Sequence, residues 1–341
     1  MNIVNQPPSE ATLQNIGKRP LGDSGLEVSE VGLGCWQLGG DFGPIDEQRV
    51  NQILAAADSS GITFWDTADV YGGGQSERLI GDWCKNNKRD RVIATKFGRN
   101  GELYPNGYTA DNIRRSIDDS LQRLQLPCLP LLQMHCIPAD MLTDDTLWYC
   151  IDDLKKEGLV SNIAASVETI EQARTCLDIP SITSLQIILN IFRQDACESL
   201  IMDAKNKGVG ILARLPLASG LLTGKMKADT QFSSSDHRNY NKDGAAFSVG
   251  ETFSGLPYEK GLALVDELKT FIPDGMTMAQ FAIRWCLDQE GVSSVLAGAS
   301  NAQQVVGNAQ AANLPSLSKS THQDLREFYL SKVRPNVRGN I

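Results

Sequence analysis

Four ionisable side chains fall where strand-like segments of this sequence end. They are Asp66, Lys96 and His135, with Tyr71 five residues past Asp66 in D-T-A-D-V-Y-G (66–72). Together they have the parts for a proton-coupled carbonyl reduction. A carbonyl that accepts hydride becomes an alkoxide and needs a proton. A phenol, with an ordinary pKa of about 10, supplies one more readily when a nearby cation raises its acidity. An aspartate paired with that cation holds it in place and keeps it charged, and a histidine can hydrogen-bond the carbonyl and orient it. Tyr71 is therefore the candidate acid, Lys96 its tuner, Asp66 its anchor and His135 the orienter. Each residue alone is commonplace. Their placement at three successive strand ends carries the reading, and one of only three histidines in the chain falls there.

Those ends belong to a strand–helix rhythm that starts after residue 45. Strands are expected at 62–65, 91–96, 129–134, 162–166, 184–190, 209–214 and 292–297, with a weak eighth near 311–314. Helices are expected at 45–60, 76–87, 109–124, 144–157, 168–177, 195–207, 258–270, 277–289 and 301–311. Val50, Ile53, Leu54 and Ala57 recur at helical spacing, as do Ile113, Ile117, Leu121 and Leu124, and Thr109 reads as an N-cap. Strict alternation with apolar strands implies a parallel sheet covered by helices. Seven or eight such units predict a (β/α)8 TIM barrel, whose catalytic groups belong at the C-terminal strand ends. The rival, a doubly wound open sheet, usually carries G-x-G-x-x-G after its first strand, and no such motif follows a strand here. Residues 1–18 read as a loose polar arm and 19–341 as a single barrel domain. The domain opens with an N-terminal hairpin turning at Asp23–Gly25 and has a long loop, 216–257, after the sixth strand.

The chain has 341 residues and a net charge of −9, with 32 Lys plus Arg against 41 Asp plus Glu. That balance disfavours nucleic acid as the main partner, because phosphate backbones require a basic face. The eight cysteines include no C-x-x-C pair and read as reduced thiols, with no metal site expected. No apolar run approaches membrane-spanning length, and M-N-I-V-N-Q-P-P-S-E lacks a signal-peptide pattern, so a cytoplasmic location is expected.

The chain resembles the aldo-keto reductases in six motifs. They are G-L-G-C-W-Q-L-G-G (32–40), D-T-A-D-V-Y-G (66–72), T-K-F-G (95–98), L-Q-M-H (132–135), P-L-A-S-G-L-L-T-G-K (216–225) and G-A-S-N-A-Q-Q-V-V-G-N (298–308). The resemblance spans roughly 19–315. It implies a (β/α)8 barrel that reduces aldehydes and ketones with NADPH, and Tyr71, Lys96, Asp66 and His135 match the family's catalytic tetrad. It implies cofactor contacts from Cys35, Trp36, Ser166, Gln186, Leu217, Ser219, Gly220, Leu221, Thr223, Gly298, Ser300, Gln304 and Asn308. Two positions depart from the pattern. Val167 stands where an Asn usually helps hold the nicotinamide carboxamide, and Arg214 stands where an aromatic ring usually stacks on the nicotinamide. A guanidinium can also stack on a flat ring, and its charge would disfavour the oxidised cofactor; the alternative is that Arg214 turns aside to an acidic neighbour. No Lys or Arg lies in 298–308, so Lys225 and Arg238 are the candidates for a 2′-phosphate, with NADPH favoured over NADH. Trp36, Phe97 and Cys136 are expected to line the substrate pocket, and Phe232, Tyr240 and Phe247 to sit on a closing loop. The resemblance also implies an alternative, a cofactor-bound regulatory subunit with little turnover. The expected partner is a small carbonyl compound.

Overall fold

A computed structural model of the protein describes residues 16–341. Its first two strands, β1 (Lys18–Pro20) and β2 (Glu27–Ser29), pair antiparallel as the expected hairpin. The turn is held by Leu21 N–H to Leu26 O (2.9 Å) and Ser24 N–H to Leu21 O (3.2 Å). Eight parallel strands then close into a barrel: β3 (Val31–Gly34), β4 (Phe64–Asp66), β5 (Val92–Phe97), β6 (Leu129–His135), β7 (Val160–Ser166), β8 (Ile182–Ile188), β9 (Gly210–Arg214) and β10 (Val292–Gly298). They pair in chain order, and β10 closes against β3.

The expected eighth strand near 311–314 is a short helical turn, Ala311–Asn313. The strand that completes the barrel is instead β3, the first of the eight. Its V-G-L-G is too short and too rich in glycine to show a period. The glycine has a packing reason, since a Cβ on Gly32 would stand 2.8 Å from Leu296 Cδ2 and 3.1 Å from Phe64 Cδ1. Part of the expected arm is also packed. Ile16 is buried and Lys18 begins β1, while residues 1–15 lie outside the described residues.

Period-two alternation sorts every strand into an outer and an inner face. Trp65, Ile93, Phe97, Leu132 and Met134 join the large core between barrel and helices. Phe64, Ala94, Leu131, Ala164, Leu212 and Leu296 form a separate cluster inside the barrel with Leu21 and Val28 of the hairpin. The hairpin therefore floors the barrel. Two residues on from these apolar positions come Asp66, Lys96, Gln133, Ser166 and Arg214, so the polar groups occupy the next layers toward the C-terminal mouth.

The covering helices run close to the expected spans, and side chains fix their starts. Asp46 caps Glu47–Ser59, Thr109 caps Ala110–Leu124, Asp144 caps Asp145–Lys156, and Asn301 caps Ala302–Gln310. Thr169 with Gln172 and Thr277 with Gln280 form capping boxes. The span 195–207 divides into a turn at Asp195–Cys197 and a helix at Leu200–Asn206, and the tail adds Lys319–Phe328. The long loop is a chain of short turns with a buried end, where Glu251, Thr252, Phe253 and Ser254 are all enclosed. All eight cysteines are free thiols. No helix of the described residues is long and apolar enough to cross a membrane.

Candidate active site

Lys96 is 1% exposed, and its ammonium spends all three protons within the site. Nζ donates to Asp66 Oδ2 at 2.6 Å, to Thr67 O at 2.8 Å and to the Tyr71 hydroxyl oxygen at 3.2 Å. The Tyr71 oxygen accepts from Lys96, which leaves its own proton free to be given away. The other oxygen of Asp66 is claimed by two amides, Gln133 Nε2 at 2.7 Å and Gln186 Nε2 at 2.8 Å, and Gln186 also donates to Gln133 Oε1 at 3.0 Å. This buried carboxylate thus has a cation on one oxygen and two donors on the other, which is the condition for remaining charged away from water. Gln133 lies within L-Q-M-H, but its role as a second brace was not read from the sequence.

Burial pushes the Tyr71 phenol up to about 12, and the Lys96 ammonium pulls against that without overcoming it. The expected net increase in acidity is therefore absent in this state. Tyr71 is a fully protonated acid at neutral pH, with the cation in place to receive the phenolate. Burial, aided by the positive charges of Arg99, Lys96 and Arg214, holds the His135 imidazole well below its ordinary pKa. It is a neutral hydrogen-bonding group, and its Nδ1 is buried without a partner among the described residues. The His135 ring meets Tyr71 edge-on with centroids 5.9 Å apart, and Trp36 stacks on the other side of Tyr71 at 5.8 Å.

A cleft of about 1360 Å³ opens over this group and runs across the mouth of the barrel. Cys35, Trp36, Asp66, Tyr71, His135, Cys136, Ser166, Gln186, Arg214, Leu217, Ser219, Gly220, Thr223, Lys225, Arg238, Gly298, Ser300, Gln304 and Asn308 all line it. Three expected residues do not. Lys96 is buried behind Asp66 and Tyr71, with its ammonium bonded to both. Phe97 is fully buried in the outer core, because it follows the inward-facing Lys96 and alternation turns it to the helices. Leu221 is fully buried and packs against the helix Tyr258–Leu268, where a Cβ on Gly261 would come within 2.7 Å of Leu221 Cδ1.

One wall of the cleft has an unusual backbone. Ala218, Ser219 and Gly220 lie in succession at φ of +47°, +55° and +100°. The tight turn forms a cradle in the cleft wall, with the Ala218 and Gly220 N–H groups bonded to Leu215 O at 3.0 Å and Leu217 O at 2.8 Å. The Arg238 guanidinium lies beside it, 3.5 Å from where a Gly220 Cβ would stand. Arg238 is fixed by Asp236 at 2.6 Å and sandwiched by Phe42 and Phe232, with its carbon 5.0 and 4.6 Å from the ring centroids. Lys225 is exposed at the cleft rim.

Arg214 takes the course of turning to an acidic neighbour. Its Nη2 lies 3.4 Å from Glu251 and donates to Val167 O at 3.1 Å, while Nε is buried without a partner among the described residues. Arg99 completes a neutral quartet, at 3.1 Å from Glu251 and 3.3 Å from Glu168. Arg99, Glu168 and Glu251 line the cleft but were not picked out beforehand, because ion pairs between residues this far apart leave no local pattern. Cys136, Glu168 and Glu251 also bring three metal-ligating atoms together. Two guanidiniums already neutralise those carboxylates, and burial raises the Cys136 thiol to about 11, so the donor set does not suit a cation.

A profile of the aldo/keto reductase family matches residues 30–330. The chain is 32% identical over 287 residues to the aldo-keto reductase YhdN of Bacillus subtilis, covering 82% of this chain and 83% of that protein. It is 30% identical over 309 residues to the L-galactose dehydrogenase of Arabidopsis thaliana, covering 88% and 89%. It is 29% identical over 335 residues to a probable voltage-gated potassium channel subunit beta of the same plant, covering 92% and 97%. Among solved structures, the glycerol dehydrogenase AKR11B4 of Gluconobacter oxydans superposes with a TM-score of 0.76 at 28% identity, over 95% of this chain and 98% of that one. A holo form of aldo-keto reductase AKR11C1 from Bacillus halodurans gives 0.74 at 26%, over 92% and 96%. With the closed barrel and the Asp66–Lys96–Tyr71 array already in place, these matches show that the chain belongs to the aldo/keto reductase family, whose members are oxidoreductases that generally use nicotinamide cofactors.

Proposed function

We propose that this protein is an NADPH-dependent reductase of small aldehydes or ketones, with Tyr71 as the general acid. The carrying observation is the Lys96 ammonium shared between Asp66 at 2.6 Å and the Tyr71 oxygen at 3.2 Å, beneath an open cleft. The cofactor supplies the hydride. The residues of this chain supply orientation and the proton. His135, neutral and lining the cleft beside Tyr71, would orient the carbonyl oxygen. As negative charge grows on that oxygen, the Tyr71 proton passes to it, and Lys96 stabilises the phenolate left behind. Asp66, braced by Gln133 and Gln186, keeps Lys96 charged throughout. In the reverse direction the same phenol must first lose its proton, so alcohol oxidation is expected to rise with pH.

The backbone cradle at 218–220 and the long cleft fit a dinucleotide, and Gly298, Ser300, Gln304 and Asn308 stand at its far end, where adenosine is expected. Arg238 and Lys225 favour the 2′-phosphate and hence NADPH over NADH. Arg214 lines the cleft at the nicotinamide end, where Val167 offers no side-chain amide. Trp36 and Cys136 line the substrate side, with Phe247 and Tyr240 from the long loop. The test is NADPH oxidation over a panel of aromatic and aliphatic aldehydes and ketones, with NADH as the control. Turnover with NADPH supports the reading. Tight NADPH binding without turnover on any substrate contradicts it and favours the cofactor-bound regulatory subunit, a reading in keeping with the similarity to a probable voltage-gated potassium channel subunit beta.

A further inference from the structure

The turn that carries Glu251 is strained and must be held from outside. Phe253, Ser254 and Gly255 lie in succession at φ of +53°, +57° and +80°. Two of these residues carry side chains, which the left-handed region penalises, so such a run persists only when its surroundings fix it. On its inner side it meets the cofactor cradle. Ser219 Oγ donates to Glu251 O at 3.1 Å and accepts from Phe253 N–H at 3.2 Å, and Asn190 Nδ2 donates to Ser254 Oγ at 2.9 Å. The Glu251 carboxylate reaches Arg99 and Arg214 from the same turn.

On its outer side the turn meets Val337–Ile341, a segment with no group near the reaction. The Arg338 guanidinium covers the turn's carbonyls. Nε donates to Gly255 O at 3.0 Å, Nη1 to Asp243 Oδ1 at 2.8 Å, and Nη2 to Lys242 O at 2.8 Å and Leu256 O at 3.4 Å. The Arg338 N–H adds a bond to Gly255 O at 3.1 Å. Close approach is built in on both sides, since a Cβ on Gly255 would lie 2.5 Å from Arg338 O and one on Gly339 2.8 Å from Val249 Cγ1. Beyond it, Arg193 Nη2 donates to Asn340 O at 2.6 Å.

We propose that Arg338 is a positioning residue for the cofactor cradle, fixing the 253–255 turn so that Ser219 and Arg214 stand where the cofactor is bound. The proposal rests on the nicotinamide-cofactor reading above. Loss of Arg338 frees the turn to relax, and the bound cofactor then leaves faster. The chemical step is untouched, because no reacting group contacts the strap.

NADPH affinity and dissociation rate, read by NADPH fluorescence, test this in the wild type, Arg338→Ala, Gly255→Ala and the double variant. Asp243→Ala, which removes one bond only, serves as a milder second probe. Arg338→Ala is expected to raise Kd by about tenfold, chiefly through faster dissociation, since several charge-assisted bonds are lost. At saturating cofactor kcat is expected to change by less than about twofold, a split between binding and chemistry that general destabilisation does not give. Gly255→Ala pushes the strap away from the opposite side, so the double variant is expected to be no worse than the more affected single. A wild-type protein that binds NADPH while Arg338→Ala and Asp243→Ala bind it equally well overturns the proposal. So does a double variant whose losses multiply. A wild type that does not bind NADPH overturns the cofactor reading itself, and the proposal with it.

Discussion

Replacing Lys96 with methionine removes the charge of the relay while nearly preserving its volume. The ammonium lies 3.2 Å from the Tyr71 oxygen and is almost wholly buried. At that separation and an effective dielectric constant of about 20, opposite unit charges attract by about 5 kcal/mol. A proton half-transferred in the transition state develops about half of the phenolate charge, so the loss falls between about 2.5 and 5 kcal/mol. This corresponds to a fall in kcat/KM of about 10²- to 10⁴-fold. The assay is steady-state NADPH oxidation on the best carbonyl of the panel, with NADPH affinity measured separately by fluorescence. Affinity is expected to hold, because Lys96 does not line the cleft. The single change also strands the Asp66 carboxylate, which keeps only Gln133 and Gln186, and stability is expected to fall by about 3 kcal/mol or more. Asp66→Asn combined with Lys96→Met removes both charges and is expected to recover much of that stability while remaining inactive. A Lys96→Met protein that folds, binds NADPH and retains kcat/KM within tenfold of the wild type refutes the relay.

Two further outcomes follow from the same electrostatics. Burial raises the Asp69 carboxyl from 3.8 to about 6, although Asn100 and Ser116 donate to it. The folded state therefore holds this proton more tightly than the unfolded chain does. The resulting stability is full below about pH 4 and lost as pH rises through about 6, a fall of about 3 kcal/mol. Asp69→Asn is expected to flatten that part of the urea-unfolding profile between pH 4 and 7; parallel profiles for the two proteins refute the assignment. At Arg214, removing the guanidinium leaves the Glu168 and Glu251 carboxylates with Arg99 alone, a net negative charge in the quartet. Arg214→Tyr is expected to improve NADP+ binding relative to NADPH by about three- to tenfold, measured as the ratio of the two dissociation constants, and an unchanged ratio refutes the charge argument.

The grouping of Asp66, Lys96, Tyr71 and His135 was legible because parallel barrel strands bring their C-terminal ends to one rim. Asp66, Lys96 and His135 are each the last or next-to-last residue of a strand, and inward pointing follows from their alternation with Phe64, Ala94 and Leu131. Phe97 was misplaced by setting that alternation aside in favour of its position beside Lys96. The strand Val31–Gly34 was missed for the opposite reason. Gly32 answers to Leu296 and Phe64 pressing on it, a demand from distant chain that leaves no local period. The ion-pair quartet of Arg99, Glu168, Arg214 and Glu251 was invisible in the same way. Glu251 lies 152 residues from Arg99, in a segment whose Gly, Ser and Asp content reads only as loop. The buried character of that segment comes from the strained turn, its bonds to Ser219 and Asn190, and the strap across it. None of these has a sequence signature.

The central claim is that Tyr71 gives the proton. Its most direct test is a single-turnover measurement of NADPH oxidation by wild type and Tyr71→Phe, each preloaded with NADPH at matched occupancy and mixed with the same aldehyde. Phenylalanine keeps the ring that stacks on Trp36 and meets His135, so only the hydroxyl is lost. The expected result is equal NADPH affinity and a rate lower by about 10²- to 10⁴-fold in Tyr71→Phe. A Tyr71→Phe protein that oxidises bound NADPH at the wild-type rate contradicts the account.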